Sequence, residues 1–281
     1  MIQNSAADMH IHSNESDGTL KPEEIIRVAQ KINNLKAISI TYHDTAQGSR
    51  IALDYMPKNI EVIAGIEFSC ERNDEEVHIL GYFIDVYNKF LLETEEKLLN
   101  IRALRIEKFI EKLNGIKIKI SIDDVYKFST GKAVGRPHVA QAIFHKGYTK
   151  SVDEAYCKYL IKESETYVPR IKMDVEQAME VINLSGGVSV IAHPSSVKNR
   201  NTISEIINIG IQGIEAYHPM NSPDSTLKYL NLAKENNLFI TGGSDFHNSR
   251  QHDKASMGEC TVDYYQIEKI KNYLKFRQTM L

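Results

Sequence analysis

The sequence predicts an α/β fold, a barrel of parallel β/α units interrupted by a helical insertion. Three observations predict it. Short β-rich runs alternate with helical runs near both ends of the chain. Polar residues gather at or near the ends of those β-rich runs, where a barrel of parallel strands builds its site. The 281 residues suit one α/β-barrel-sized domain, or one such domain carrying an insertion.

The first strand is Asp8-Met9-His10-Ile11-His12. In an extended strand, residues two apart point to the same side. At about 3.3 Å per residue the two histidines lie roughly 7 Å apart, and both imidazoles can lean onto one metal ion at about 2.1 Å. The pair alone also fits two histidines on a strand surface. A polar turn follows, with Glu15 and Asp17. Residues 22–32 read as a helix: Pro22 opens it, Glu23 and Glu24 occupy the first turn, and Ile25, Val28, Ala29 and Ile32 share a face. A short strand at 36–42 ends in His43-Asp44, a second at 61–66 ends in Glu67, and a third at 77–84 carries His78.

The middle of the chain, 87–173, is helical and strongly charged. Residues 91–113 form a long candidate helix with a stop at Gly115. Ser121 and Ser151 look like helix starts, and Gly135-Arg136-Pro137-His138 opens another helix with proline early in it. The reading is a helical insertion that caps the substrate, set between barrel segments 1–86 and 174–281. From Asp174 the alternation returns. A helix closes at Gly186-Gly187, and strands then end in His193-Pro194, in Tyr217-His218 and in Ser244-Asp245-Phe246-His247.

Bulk properties exclude some classes. A net charge of −3 argues against a protein that coats duplex DNA, which needs a basic surplus. With no apolar run of 18 residues, no membrane span is expected. Residues 1–7 lack the basic-then-apolar pattern of a secretory signal. Cys70, Cys157 and Cys260 are scattered and odd in number, which suits free thiols in a reduced, cytoplasmic setting.

Collecting the polar residues at the strand ends gives His10, His12, Asp17, His43, Glu67, His78, His193, Asp245 and His247. Six of the ten histidines are among them. Imidazole with carboxylate and no thiolate suits Zn, Mn or Fe. Nine ligands are too many for one ion and fit two or three divalent ions, with carboxylates bridging. Ions about 3.5–4 Å apart suit phosphoryl transfer or hydrolysis, because they clamp the attacking and leaving oxygens.

The motifs D-x-H-x-H-S-x-x-S-D-G from Asp8, T-x-H-D at His43, G-x-E at Glu67, A-H-P at His193 and G-S-D-F-H at Asp245 and His247 together resemble the PHP (polymerase and histidinol phosphatase) family. They span nearly the whole chain. The resemblance implies a distorted seven-stranded β/α barrel with a trinuclear metal site. It assigns one ion to His10, His12, Glu67 and Asp245, a second to Glu67, His78 and His193, and a third to Asp17, His43 and His247. Some family members carry histidine where this chain has Asp17, a departure that bears on metal preference. The insertion with G-R-P-H is similar to the subgroup of nucleotide phosphatases and short-oligonucleotide exonucleases. The resemblance therefore implies hydrolysis of phosphate esters of nucleotides (AMP or 3',5'-bisphosphates) or short oligonucleotides by a metal-activated hydroxide. A histidinol-phosphate phosphatase, an amidohydrolase-type hydrolase and a non-catalytic metal-binding regulatory barrel are the alternatives.

Beyond the metals, Arg136 either clamps phosphate with its guanidinium fork or pairs on its helix surface. His138 either contacts substrate or only begins its helix. His218 either touches phosphate and protonates the leaving oxygen, or orients a ligand. Asp44 either orients His43 or assists proton transfer. Tyr42 and Tyr217 read as packing residues, His145 and His252 as surface residues, and Cys70 has no base placed to activate it.

Overall fold

The structure, a computed structural model, describes residues 5–14, 17–55, 57–129, 133–248 and 254–280, with the backbone alone for Arg200. Glu15 in the first turn and His252 lie outside the described residues. Among the described residues nine strands form one sheet: β1 (Ala6–Ile11), β2 (Leu35–Ile40), β3 (Glu61–Arg72), β4 (Glu75–Tyr82), β5 (Met173–Asp174), β6 (Val188–Ile191), β7 (Gly213–Tyr217), β8 (Phe239–Gly242) and β9 (Val262–Asp263). Seven make the barrel wall in the order β8-β7-β6-β4-β3-β2-β1. Two-residue β5 and β9 only extend the edges of β3 and β1.

The wall nearly closes just after β8. The Asp245 N–H donates to the His10 carbonyl at 2.8 Å, and the His12 N–H donates to the Phe246 carbonyl at 2.8 Å. These bonds lay Phe246 alongside Ile11. Asp8 reinforces the seam. Fully buried, it accepts from the Ser244 N–H at 2.9 Å, the Ser244 hydroxyl at 2.7 Å and the Gly258 N–H at 2.9 Å. Burial pushes its carboxyl up to about 6, and these bonds limit the rise.

The expected parallel pairing holds on both sides of the barrel, for β1/β2/β3 and for β6/β7/β8. It fails in between, where β4 runs antiparallel to both β3 and β6. The cause is local. Asn73 and Asp74 both adopt left-handed backbone, with φ of 53° and 59°. Two consecutive positive φ values make the tight turn that matches strand twist in a hairpin, and Asn and Asp tolerate them. One consequence is that His78 enters the site from the middle of eight-residue β4 rather than from a strand's C-terminal end. Glu67 likewise sits in the middle of twelve-residue β3.

The helices cover the wall. In α1 (Pro22–Ala29), Ile25, Ile26 and Ala29 are buried against Leu35, Ile38 and Ile40 of β2. A further short helix, α2 (Gln47–Asp54), packs Ala52 into the same cluster. Burial of an aliphatic side chain of this size contributes about 1.5–3 kcal/mol. The 27-residue α3 (Lys89–Gly115) belongs to two cores. Its first half buries Leu91 and Leu98 in the barrel-side core. Its second half buries Ile106, Phe109 and Leu113 against α4 (Ile122–Tyr126), α5 (Arg136–His145) and α6 (Val152–Tyr159), around Val125, Val139 and Ile143. Ser121 and Ser151 cap α4 and α6, as their sequence context predicts. Then α7 (Val175–Leu184), α8 (Arg200–Asn208), α9 (Pro223–Glu235) and α10 (Tyr264–Thr279) return to the barrel exterior. No helix among the described residues is long and apolar enough to cross a membrane.

The seam tolerates no side chain at Gly243, where a Cβ would lie 2.4 Å from the His10 nitrogen and 2.4 Å from its Cβ. Gly243→Ala should therefore cost about 1–3 kcal/mol by overpacking. A urea unfolding series measures this as a lower midpoint at unchanged slope, and an unchanged midpoint would mean the seam is looser than described.

Candidate metal centre

All nine residues that the sequence nominates as ligands converge on one end of the barrel. The hub is Glu67, which β3 places there at zero exposure. Its Oε2 lies 3.5 Å from His10 Nε2, 3.3 Å from His12 Nε2 and 3.0 Å from His43 Nδ1. Its Oε1 lies 2.8 Å from His78 Nδ1 and 3.1 Å from His193 Nε2. Asp245 faces the first pair from the far side, with Oδ1 3.4 Å from His10 Nε2 and 3.2 Å from His12 Nε2. Asp17 sits between His43 and His247, 3.5 Å from an Nε2 of each, and its Oδ1 is 3.3 Å from His12 Nδ1.

These spacings test whether divalent ions fit. Among the described residues, His10 Nε2, both ring nitrogens of His12, His43 Nδ1 and Glu67 Oε2 are buried without a hydrogen-bond partner. Orphaned buried polar atoms are costly unless something satisfies them. The edge of a tetrahedron with ligand distances of about 2.1 Å is about 3.4 Å, and the four measured edges joining His10 and His12 to Glu67 and Asp245 run from 3.2 to 3.5 Å. Second nitrogens also find partners suited to ligation: His247 Nδ1 donates to the Asp245 carbonyl at 2.7 Å, leaving Nε2 toward Asp17. The donor set therefore fits divalent cations. Burial alone would raise the Glu67 carboxyl, but His43, His78 and His10 hold it well below its ordinary range.

The remaining candidates divide. Arg136 lines a cleft of about 220 Å³ that opens onto Asp17, His43 and His78. Its guanidinium stacks 5.2 Å over Tyr156 and its Nη1 donates to the Leu160 carbonyl at 3.4 Å. Three arginines unremarked in the sequence line the same cleft: Arg102, Arg105 and Arg170. The one sequence signal for Arg102 and Arg105 is their i,i+3 spacing on α3. Burial, together with Arg136 and Arg170, brings Arg105 down to about 10. Like charges so crowded favour an anionic guest.

His138 is buried and its Nδ1 accepts from the Gly135 N–H at 3.0 Å, a helix-start bond, while the ring also borders the cleft. His218 is 4% exposed; its Nδ1 accepts from the Met220 N–H at 3.2 Å and its Nε2 is 3.4 Å from Asp245 Oδ2. Asp44 is fully buried, in left-handed backbone directly after His43, and meets arginines rather than the cleft. Arg102 Nε donates to it at 2.7 Å, Arg170 pairs with the same oxygen, and the Ser69 N–H donates at 2.9 Å. Tyr42 is buried, with its hydroxyl against Ser13; Tyr217 is half-buried and His145 exposed. Cys70 is buried, and burial pushes its thiol well up.

Sequence reasoning missed Glu215. Its carboxylate is fully buried on β7 behind His10. A lone acid in a parallel strand otherwise apolar was the available signal.

The PHP domain profile matches residues 8–241. The chain belongs to the PHP domain family. Asp245 and His247 fall beyond the matched span and rest on the geometry above. Over 248 residues, 85% of the chain, this PHP protein is 28% identical to the 5'-3' exoribonuclease Rnm of Escherichia coli, 84% of which is covered. It is 29% identical, over 85% of its length, to the 3',5'-nucleoside bisphosphate phosphatase of Chromobacterium violaceum, 86% of which is covered. A crystal structure from Bifidobacterium adolescentis, assigned as a metal-dependent phosphoesterase, matches 94% of both chains with a TM-score of 0.85 at 26% identity. The PHP-type barrel expected from the motifs is thus the fold of this chain.

Asp44 supplies a pH test. Burial alone would raise its carboxyl, but Arg170 and Arg102 bring it down to about 2. A folded value below the unfolded one stabilises at pH above about 4, and the effect is lost as pH falls toward 2. From 3.8 to about 2 the contribution is about 2 kcal/mol. Unfolding free energies from pH 7 to 3 should decline less steeply for Asp44→Asn than for wild type, from a lower neutral value. Parallel curves would mean that Asp44 carries no such linkage.

Proposed function

We propose that this phosphoric ester hydrolase removes phosphate from a nucleotide that carries a second phosphate, a nucleoside 3',5'-bisphosphate or the end of a short oligonucleotide. The single observation that carries the reading is the adjacency of two chemistries in one cleft. One end is the His/Asp/Glu centre, and the other is the arginine group Arg102, Arg105, Arg136 and Arg170. Guanidinium groups match phosphate oxygens in a bidentate fork. Histidinol phosphate, with one phosphate and a cationic amine, would leave that arginine group without an anion to bind.

The centre would hold two or three divalent ions (Mn, Zn or Fe), grouped as His10, His12, Glu67 and Asp245; Glu67, His78 and His193; and Asp17, His43 and His247. Such ions activate water for attack on phosphorus and neutralise charge as it develops. The protein's own residues do the rest. Arg136 and Arg105 grip the second phosphate and orient the ester. Asp44 holds Arg102 and Arg170 in place from behind. With Nδ1 accepting from Met220, His218 would carry its hydrogen on Nε2 and donate it to the leaving oxygen. His138 caps α5 through Nδ1 and borders the cleft in which the substrate would sit. Segment 87–173 closes over the cleft as the capping subdomain on barrel segments 1–86 and 174–281. Three free cysteines accord with a cytoplasmic setting.

Phosphate release from a nucleoside 3',5'-bisphosphate, assayed with added Mn, tests the proposal. Replacing His10 and His193 together by alanine should abolish turnover while the far-ultraviolet spectrum stays native. Arg136→Ala should raise KM about tenfold, a loss of about 1.4 kcal/mol, for the bisphosphate and less for the monophosphate. Full turnover by the metal-replete double variant would overturn the assignment.

A further inference from the structure

Glu215 is the one acid of β7, in Gly213-Ile214-Glu215-Ala216-Tyr217, and it is fully buried. An ionised carboxylate there is expensive unless its oxygens are satisfied. Both are. Oε1 lies 3.0 Å and Oε2 3.3 Å from His10 Nδ1, and Oε2 accepts from the backbone N–H of His193 at 2.7 Å. It stands behind His10, away from the cleft, and is not among the cleft-lining residues. We propose that Glu215 is the positioning residue of the centre, fixing which nitrogen of His10 faces the ions and where the backbone carries His193.

This role rests on the reading that the centre binds metal. An ionised carboxylate only accepts. A ligating imidazole carries a single hydrogen, so His10 then holds it on Nδ1 and keeps the lone pair on Nε2 for the ion. That Nε2 is the atom aimed at Glu67 and Asp245. Carboxylates behind ligating imidazoles fix tautomer and ring orientation in this way in metal sites generally. His193 is the second client. Its backbone sits at φ 24° and ψ 63°, outside the ordinary regions, and such a conformation persists only where neighbours hold it. Glu215 provides that hold through the N–H. One side chain thus governs ligands of two proposed groups, since His10 shares Glu67 Oε2 and His193 shares Oε1.

Glu215→Gln is nearly isosteric but cannot serve both clients. If its NH2 faces His10, the ring must accept at Nδ1 and carry hydrogen on Nε2, losing its lone pair. If its NH2 faces His193, two donors oppose each other and the strained backbone loses its acceptor. Glu215→Asp keeps the charge on a shorter arm.

Wild type, Glu215→Gln and Glu215→Asp would each be loaded with zinc, dialysed against a competing chelator, and assayed for metal per chain. The expected result is a 10- to 100-fold weaker affinity for at least one ion in Glu215→Gln, partly recovered in Glu215→Asp. Equal content and affinity in wild type and Glu215→Gln would overturn the proposal, whereas a wild type that binds no zinc would overturn the metal reading beneath it. Nitrogen-15 histidine spectra of zinc-loaded wild type give a test free of any variant's folding. His10 protonated on Nδ1 and metal-bound through Nε2 is expected, and the opposite tautomer would overturn the assignment.

Discussion

Everything at the site end of the barrel depends on one carboxylate that has no contact with water. Glu67 stands at zero exposure with five imidazoles around it, three on one oxygen and two on the other. Such a group survives burial only with its charge balanced by a set of partners, here the imidazoles and the ions they would hold, since Oε2 has no hydrogen-bond partner of its own. The fold supplies the set from different directions: β1 from one side, the end of β2 from another, and β4 and the end of β6 from a third. The antiparallel hairpin after β3 is part of that supply. A regular parallel barrel would send the strand after Glu67 back through a helix, and His78 could not then lie one strand away.

Much of this was legible in the sequence because ligand chemistry is local. H-x-H on a strand, G-x-E and A-H-P each announce a polar atom where an apolar strand ends. They place His10, His12, Glu67 and His193, four of the nine residues that converge on the candidate centre. The parallel flanks and the long helix α3 were legible too, from period and capping residues. What was not legible had non-local causes. The reversal at Asn73 and Asp74 depends on two backbone angles that a short Arg-Asn-Asp-Glu string does not advertise. Glu215 looks like one acid in an apolar run until His10 is brought up against it across the barrel. Arg102, Arg105 and Arg170 look like ordinary helix and loop cations, because α3 and the segment before β5, distant in sequence, bring them to one cleft with Arg136. Asp44 reads as a neighbour of His43, yet its backbone turns the carboxylate away toward Arg102 and Arg170.

The cleft is electrostatically asymmetric. At its floor, histidines and carboxylates balance each other closely. Opposite the floor stand four guanidinium groups, of which Arg102 and Arg170 pair with buried Asp44, and burial lowers Arg105 and Arg170. Helix α3 ties the arginine side to the barrel. Its first half is anchored to the barrel through Glu95, which accepts from the Ala46 N–H at 2.6 Å and from Arg50 at 2.8 Å. Its next turns carry Arg102 and Arg105 into the cleft. The proposed substrate suits this asymmetry: its ester phosphate would sit at the floor with the ions and its second phosphate beneath the arginines.

The central claim is that the buried knot around Glu67 is a metal centre. Anomalous diffraction from crystals soaked in Mn tests it most directly. The account predicts a peak enclosed by His10, His12, Glu67 and Asp245, and a second beside His78 and His193. Ordered protein at this centre with no anomalous peak among these residues would contradict it.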